Sequence, residues 1–320
     1  MPKTATRPLA SVATRNRQRA FPAPANDAGI AASSMRLRYA IDIDYDVEDS
    51  GAEFIFNVQA ARTARQSVVQ ESLRLGKPPA TTPFEDPATR ARFLRVTAAP
   101  GKLKLRYAAT VDIDQHFEKP SRIRENDVVE LPNTVLPYIY PSRYCESDRL
   151  MNFAWTTFGS LKRGYDRVRA IEEWVQTHVA FRSGSTNGTT SACSTMLERQ
   201  GVCRDFAHLM IALCRASNVP ARFATGIDYG ADPALGPQDF HAYVEAYVGG
   251  RWRIFDPSGT AIPAGFVRIG TGRDAADVAF ATIFGMATMA RMKIAIEALP
   301  GADGVLRLPE RTAEAISTDD

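Results

Sequence analysis

The feature that most constrains the fold of this chain is a change in the spacing of its apolar residues near residue 140. Over residues 35–47 and 102–113, apolar and polar residues alternate, which is typical of strands with one buried face. Over residues 165–179 and 203–216 the spacing is three to four residues, as on one face of a helix. Short strand-like runs then follow at 221–227, 242–248 and 251–255. We therefore predict an α+β chain: an N-terminal β-sandwich-like domain, then a helix packed on an antiparallel sheet.

The same patterns divide the chain into four parts. The predicted parts are a disordered basic tail at 1–34, a β-rich domain at 35–140, an α+β core at 141–295 and a C-terminal tail at 296–320. Met35 directly precedes the first strand-like run, which leaves open whether residues 1–34 are translated in the native protein.

The distribution of charge argues against nucleic acid as a partner. The net charge is +3. Residues 1–34 carry five basic residues against one acidic residue, a charge of +4, so the rest of the chain is close to −1. The chain has no apolar run long enough to span a membrane and no apolar stretch typical of a secretory signal, so we expect no membrane association and a cytoplasmic location.

The cysteines and histidines do not indicate a metal site. The four cysteines are Cys145, Cys193, Cys203 and Cys214, and none forms a C-x-x-C pair. With only four histidines and no H-x-x-x-H motif, we predict neither a metal nor another cofactor. Free thiols are ordinary in a reducing compartment.

Cys203 stands out because it lies where a loop turns into a helix, in Gly201-Val-Cys-Arg-Asp-Phe-Ala-His. The first turn of a helix favours an anion, so a thiolate is stabilised there and becomes a better nucleophile. The alternative is an inert buried cysteine on the apolar face of the helix, like Cys214. His208, further along that helix, is interpreted as structural.

A predicted hairpin brings two further groups together. Gly249-Gly250 indicates a two-residue turn, because such turns need positive φ at both central positions. Tyr243 then faces Asp256, and His241 becomes the diagonal neighbour of Asp256 on the same face of the sheet. Asp256 could orient the His241 imidazole, whose other nitrogen would take a proton from Cys203.

The three blocks around these residues resemble the transglutaminase-like superfamily. They are Gly201-Val-Cys-Arg-Asp-Phe-Ala-His, Phe240-His-Ala-Tyr-Val-Glu-Ala-Tyr and Trp252-Arg-Ile-Phe-Asp-Pro-Ser. The resemblance implies a papain-like core with a catalytic triad of Cys203, His241 and Asp256, and the β-rich first half is similar to the bacterial branch of this superfamily. Gln200 is a candidate oxyanion donor beside the Cys203 N–H. No calcium-binding D-x-D-x-D-G loop is present.

These observations predict an acyl-transfer enzyme that attacks peptide bonds or glutamine amides of a protein or peptide through a thioester, with a cysteine peptidase or amidase as the leading hypothesis. The alternatives are a transglutaminase with an amine acceptor, and a binding scaffold that retains the core. Residues 269–285 predict a capping turn followed by a core helix, or else a site in which Arg273 or Asp274 borders the active-site mouth. The substrate and the oligomeric state stay open.

Overall fold

The structure is a computed structural model, and it describes residues 34–76, 80–231, 234 and 238–317. The predicted disordered tail therefore lies outside the described residues except for Ser34. The helices are α1 (Met151–Phe158), α2 (Tyr165–His178), α3 (Ala192–Glu198) and α4 (Cys203–Ala216). The strands are β1 (Met35–Phe56), β2 (Gln66–Leu75), β3 (Ala80–Glu85), β4 (Arg92–Ala98), β5 (Gly101–Ile113), β6 (His116–Glu118), β7 (Ala180–Phe181), β8 (Gln200–Gly201), β9 (Ala221–Asp228), β10 (Phe240–Val248), β11 (Arg251–Phe255), β12 (Phe266–Gly272), β13 (Ala281–Leu299) and β14 (Ala315–Ser317).

The N-terminal β domain is one bent antiparallel sheet built around β1. One edge of β1 pairs with β5 and then β4, and the other edge pairs with β13. The strand bends after Val47, so that the rings of Tyr45 and Phe54 lie 5.1 Å apart. Alternate residues of β1 face a single apolar core, as the alternation of the sequence predicts.

The predicted helix after residue 269 is wrong. Residues 266–272 form β12, a turn follows, and β13 then runs for 19 residues beside β1. Alanine and methionine make up eight of the 19 residues of β13, and both favour helices by intrinsic propensity. Pairing with β1 overrides that preference, because it places Ile283, Ile294 and Ile296 against the apolar core of the β domain.

The second half of the chain packs three helices and a sheet around α4. The sheet has the strand order β11-β10-β9-β12, and α4 lies against β9 and β10. Every residue from Asp205 to Ala216 is buried, although the sequence predicts one buried face. The polar members of α4 are accommodated by internal contacts; Arg215, for example, donates to the Ala221 carbonyl at 3.0 Å. The α+β class, the N-terminal β domain and the helix on an antiparallel sheet are confirmed.

The two halves of the described chain share packing and hydrogen bonds. Ile227, Val267 and Ile269 of the second sheet belong to the same apolar cluster as β1. The Gln66 side chain also joins β12, donating to the Arg268 carbonyl and accepting from the Arg268 N–H, each at 2.8 Å.

The C-terminal part of the described chain pairs with strands from earlier in the sequence. Strand β13 crosses residue 295, and β14 pairs with β6 inside the segment that we predict as a C-terminal tail. The domain boundaries at residues 140 and 295 stay predictions. Among the described helices, none has the length and apolar character needed to cross a membrane.

Candidate active site

Cys203 is the first residue of α4 and directly follows the N-cap residue Val202. The short strands β7 and β8 pair in parallel just before it and fix the direction from which the chain enters the helix. Glycine is required at Gly201, because a Cβ atom there would lie 2.7 Å from the Cβ of Asp205. The half-buried Cys203 thiol is therefore held at the first turn of α4, where unpaired N–H groups favour an anion.

The Asp205 carboxylate makes hydrogen bonds that stabilise the first turn of α4. It is fully buried and accepts hydrogen bonds from the Val202 N–H at 2.9 Å and the Thr186 hydroxyl at 2.8 Å. Arg204 pairs with it at 3.3 Å. Because these donors use its lone pairs, Asp205 serves to anchor the start of the helix.

The predicted hairpin register is confirmed. Gly249 and Gly250 have φ of 68° and 75°, as the turn requires. Val248 pairs with Arg251, and Val244 pairs with Phe255. The ladder ends at Val244 and Phe255, the neighbours of the Tyr243 and Asp256 positions that the sequence predicts to face each other.

His241 and Asp256 consequently meet. The His241 Nε2 lies 3.3 Å from the Asp256 Oδ1. Asp256 is buried, and it also accepts from the Ser258 hydroxyl at 2.6 Å and the Ala261 N–H at 3.0 Å. Burial alone would raise the pKa of Asp256, but the hydrogen bonds from His241, Ser258 and Ala261 outweigh it, so the pKa is lowered.

The Cys203 thiol lies close enough to the His241 imidazole to influence its pKa. Burial alone lowers the pKa of His241, but the charges of Asp228 and the Cys203 thiolate and the hydrogen bonds to Asp256 and Cys203 raise it well above its ordinary value. Because Nε2 faces Asp256, a proton exchanged with Cys203 would use Nδ1, which also lies 3.4 Å from the Asp228 carboxylate. The structure thus brings Cys203, His241 and Asp256 together, while their catalytic roles stay predictions.

Sequence reasoning missed a second carboxylate at this imidazole. Asp228, the last residue of β9, is fully buried, and its Oδ2 lies 3.4 Å from the His241 Nδ1. His241 pairs with Gly226 in the sheet, so Asp228 is its diagonal neighbour on β9. The only available signal was an acidic residue at the end of a strand-like run, and the long connection to β10 does not reveal the register.

The other predicted residues are placed as follows. Gln200 lies half-buried in β8, three residues before Cys203, and its role as an oxyanion donor stays a prediction. His208 is fully buried, stacks on Tyr144 at 5.0 Å and accepts the Ala275 N–H at 3.2 Å. Burial lowers the pKa of His208 well below its ordinary value, which keeps the ring neutral. These contacts agree with a structural role for His208.

Arg273 and Asp274 make their polar contacts at the turn that leads to β13. Arg273 pairs with Asp277 at 2.9 Å. Asp274 is buried and accepts from the Tyr144 N–H at 2.9 Å and the Ala276 N–H at 3.0 Å. These contacts stabilise the turn against the rest of the core.

The remaining cysteines lie in environments that oppose ionisation. Burial raises the pKa of Cys145 to about 12 and raises the pKa values of Cys193 and Cys214. Cys203 differs from them in its place at the start of a helix and near the His241 imidazole. A thiol in that environment has a general base within reach.

Comparisons with known proteins agree with this fold. The sequence profile of the bacterial transglutaminase N-terminal domain matches residues 35–134, and that of the transglutaminase-like superfamily matches residues 152–257. A crystal structure of a candidate cysteine protease from Cytophaga hutchinsonii is 40% identical, with a TM-score of 0.81. The alignment covers 89% of this chain and 97% of that one.

More distant relatives match part of the chain. An uncharacterized protein of Mycobacterium leprae is 28% identical over 116 residues, covering 35% of this chain and 42% of that protein. An uncharacterized protein of Mycobacterium bovis is 30% identical over 143 residues, covering 41% and 46%. This chain therefore spans less than half the length of these curated relatives. With both profiles matched and a 40% identical structure covered almost completely, the chain belongs to the transglutaminase-like superfamily and has the fold of a thiol-enzyme family.

Proposed function

We propose that this protein is a thiol-dependent acyl-transfer enzyme that hydrolyses amide bonds in a protein or peptide substrate. The observation that carries the proposal is the His241 imidazole: its Nε2 lies 3.3 Å from Asp256, and the nearby Cys203 thiol helps to raise its pKa. This is the arrangement that a cysteine nucleophile and its general base require.

The proposed reaction proceeds in two half-reactions. The proton of the Cys203 thiol passes to the His241 Nδ1, and the thiolate attacks the amide carbonyl carbon. His241 then returns the proton to the leaving amine or ammonia, and a thioester remains on Cys203. Water, deprotonated by His241, attacks the thioester and releases the acid together with the free thiol.

Asp256 is proposed to orient the His241 ring and to stabilise its protonated form. Its lowered pKa keeps it ionised throughout the neutral range, which suits that role. The N–H of Cys203 and the side chain of Gln200 are proposed as donors to the oxyanion that forms during attack.

The proposed acyl acceptor is water. Hydrolysis is favoured because the Cytophaga hutchinsonii relative is described as a candidate protease. An amine acceptor is the second candidate, since the N-terminal profile is that of bacterial transglutaminases.

We also propose that the protein acts in the cytoplasm. All four of its cysteines are free, which suits a reducing compartment. Immunoblotting of cell fractions tests this location, and recovery in an extracytoplasmic fraction would contradict it.

One experiment tests the reaction and its acceptor together. A peptide library is incubated with the protein, with and without an added primary amine, and the products are identified by mass spectrometry. We expect shortened or deamidated peptides from hydrolysis, whereas an amine adduct would indicate transfer. Replacement of Cys203→Ala should lower turnover by roughly 1,000-fold or more, because the nucleophile is lost.

The matched control is Cys193→Ala, which removes another half-buried thiol that packs against the same core. This variant should turn over substrate at the wild-type rate. Undiminished turnover by Cys203→Ala would refute the proposed function. Absence of any turnover, with Cys203 alkylated by iodoacetamide no faster than Cys193, would favour the binding scaffold.

A further inference from the structure

The imidazole of His241 has a carboxylate at each of its two nitrogens. Asp256 lies 3.3 Å from Nε2, and Asp228 lies 3.4 Å from Nδ1. The two acids come from opposite neighbours of β10, since Asp228 ends β9 and Asp256 follows β11. Both reach the ring as diagonal neighbours on the same face of the sheet.

Asp228 is fully buried, and a hydrogen bond fixes the position of its carboxylate. The Tyr243 hydroxyl, also buried, donates a hydrogen bond to its Oδ1. The Oδ2 that faces His241 makes no hydrogen bond within the described part of the chain. An isolated buried carboxylate is costly, so its charge is tolerated only where a cation can form beside it.

We propose that Asp228 is a positioning residue that holds a second negative charge against His241, opposite Asp256, and so stabilises the protonated imidazole that partners the Cys203 thiolate. This inference rests on the proposed function, in which the thiol proton moves from Cys203 to the His241 Nδ1. No atom is gained or lost in that step, and Asp228 acts only through the charge that it places beside the receiving nitrogen.

The groups that face the imidazole come from every element packed around it. They are Cys203 from α4, Asp228 from β9, Asp239 just before β10, Tyr243 from β10 and Asp256 after β11. Asp228 and Asp256 differ in when they carry charge. Burial raises the pKa of Asp228 to about 6, whereas the pKa of Asp256 is lowered, so only Asp228 gains its charge near neutral pH.

The test measures the pH at which His241 loses its proton, and it needs no substrate. The chain has four histidines, so their ring signals are separable by NMR, and a His241→Gln variant assigns the relevant one. In Asp228→Asn the shape is kept and the charge is lost. We expect the titration midpoint of His241 to fall by about one pH unit or more, the shift that an opposite charge at this distance produces.

Two further variants serve as a control for nearby charge and as a second way to perturb Asp228. Asp239→Asn removes an exposed charge beside the same histidine and should move the midpoint much less. Tyr243→Phe removes the donor to Asp228, which makes its ionisation harder, and should shift the midpoint in the same direction by a smaller amount. If the protein carrying Asp228→Asn does not fold, Tyr243→Phe still reports on the proposal.

The outcomes separate this inference from the proposed function. An unchanged His241 midpoint in both Asp228→Asn and Tyr243→Phe would overturn the role of Asp228, even if Cys203→Ala abolishes turnover. A shifted midpoint supports the electrostatic role of Asp228, even if Cys203→Ala leaves turnover intact and the proposed function fails. A merely structural role would lower stability without moving the midpoint.

Discussion

Asp228 and Asp256 show how the same residue type acquires opposite properties within one site. Asp256 accepts hydrogen bonds from His241, Ser258 and Ala261, which stabilise its ionised form although it is buried. The Asp228 carboxylate accepts a hydrogen bond only from the Tyr243 hydroxyl among the described residues, so the cost of burial dominates. The number of donors, rather than the depth of burial, decides the direction of each pKa shift.

The raised pKa of Asp228 makes a prediction about stability. Its ordinary value is 3.8 and its value in the folded chain is about 6, so between these values the folded chain binds more protons than the unfolded chain. The free energy of unfolding contributed by Asp228 therefore falls as the pH rises from about 4 to 6, by roughly 2–3 kcal/mol. In Asp228→Asn the side chain cannot ionise, so this fall in the free energy of unfolding should be absent.

We expect the free energy of unfolding of Asp228→Asn, relative to wild type, to be more favourable at pH 8 than at pH 4. Urea denaturation of both proteins at the two pH values measures the difference. The same stability difference at both pH values would contradict the raised pKa. A gain in stability at pH 8 together with a lowered His241 midpoint would mark Asp228 as a residue kept for function.

Among the strands, a buried ion cluster ties three neighbours of the second sheet together. Glu245 on β10 accepts from Arg222 on β9 at 2.6 Å and from Arg268 on β12 at 2.8 Å. The Arg222 guanidinium also lies 4.2 Å from the centre of the Trp252 ring on β11. This cluster holds in register the strands that carry Asp228 and His241.

We expect Glu245→Gln to lower the free energy of unfolding by about 3 kcal/mol or more, because two buried guanidinium groups lose the carboxylate that balances them. The matched control is Glu297→Gln on β13, whose pair with Arg38 is more than half exposed at 3.2 Å. An exposed pair of this kind contributes about 0–1 kcal/mol. Urea denaturation compares the two, and equal losses would show that the cluster does not stabilise the sheet.

At the scale of the whole molecule, the β domain and the core are joined by shared packing. The last long strand, β13, returns to β1, and strands of the second sheet contribute to the apolar cluster of the first. Gln66 adds hydrogen bonds between the two. If either half were removed, some apolar core residues of the other half would be exposed to water.

We therefore expect the described body of the protein to unfold in a single cooperative transition. The three tryptophans, Trp155, Trp174 and Trp252, all lie in the second half, so their fluorescence reports on that half alone. Circular dichroism of the strands also reports on the β domain. The two signals should share one urea midpoint, and separated midpoints would show that the halves fold independently.

The sequence by itself determined the parts of this protein that depend on local geometry. Apolar spacing predicted α4 from Cys203 to Ala216, and the Gly249-Gly250 turn predicted that His241 and Asp256 are neighbours. A two-residue turn sets the register of the strands that it joins, so the pairing follows from short-range rules.

Only the tertiary structure decided the pairings between distant segments. β13 is rich in alanine and methionine, which favour helices, and becomes a strand because β1, more than 200 residues earlier, offers it an edge and a core. Asp228 reaches His241 across a connection too long to reveal the register, so its place beside the imidazole could not be read from the residues around it. Long-range pairing is selected by total burial and hydrogen bonding, which no local pattern encodes.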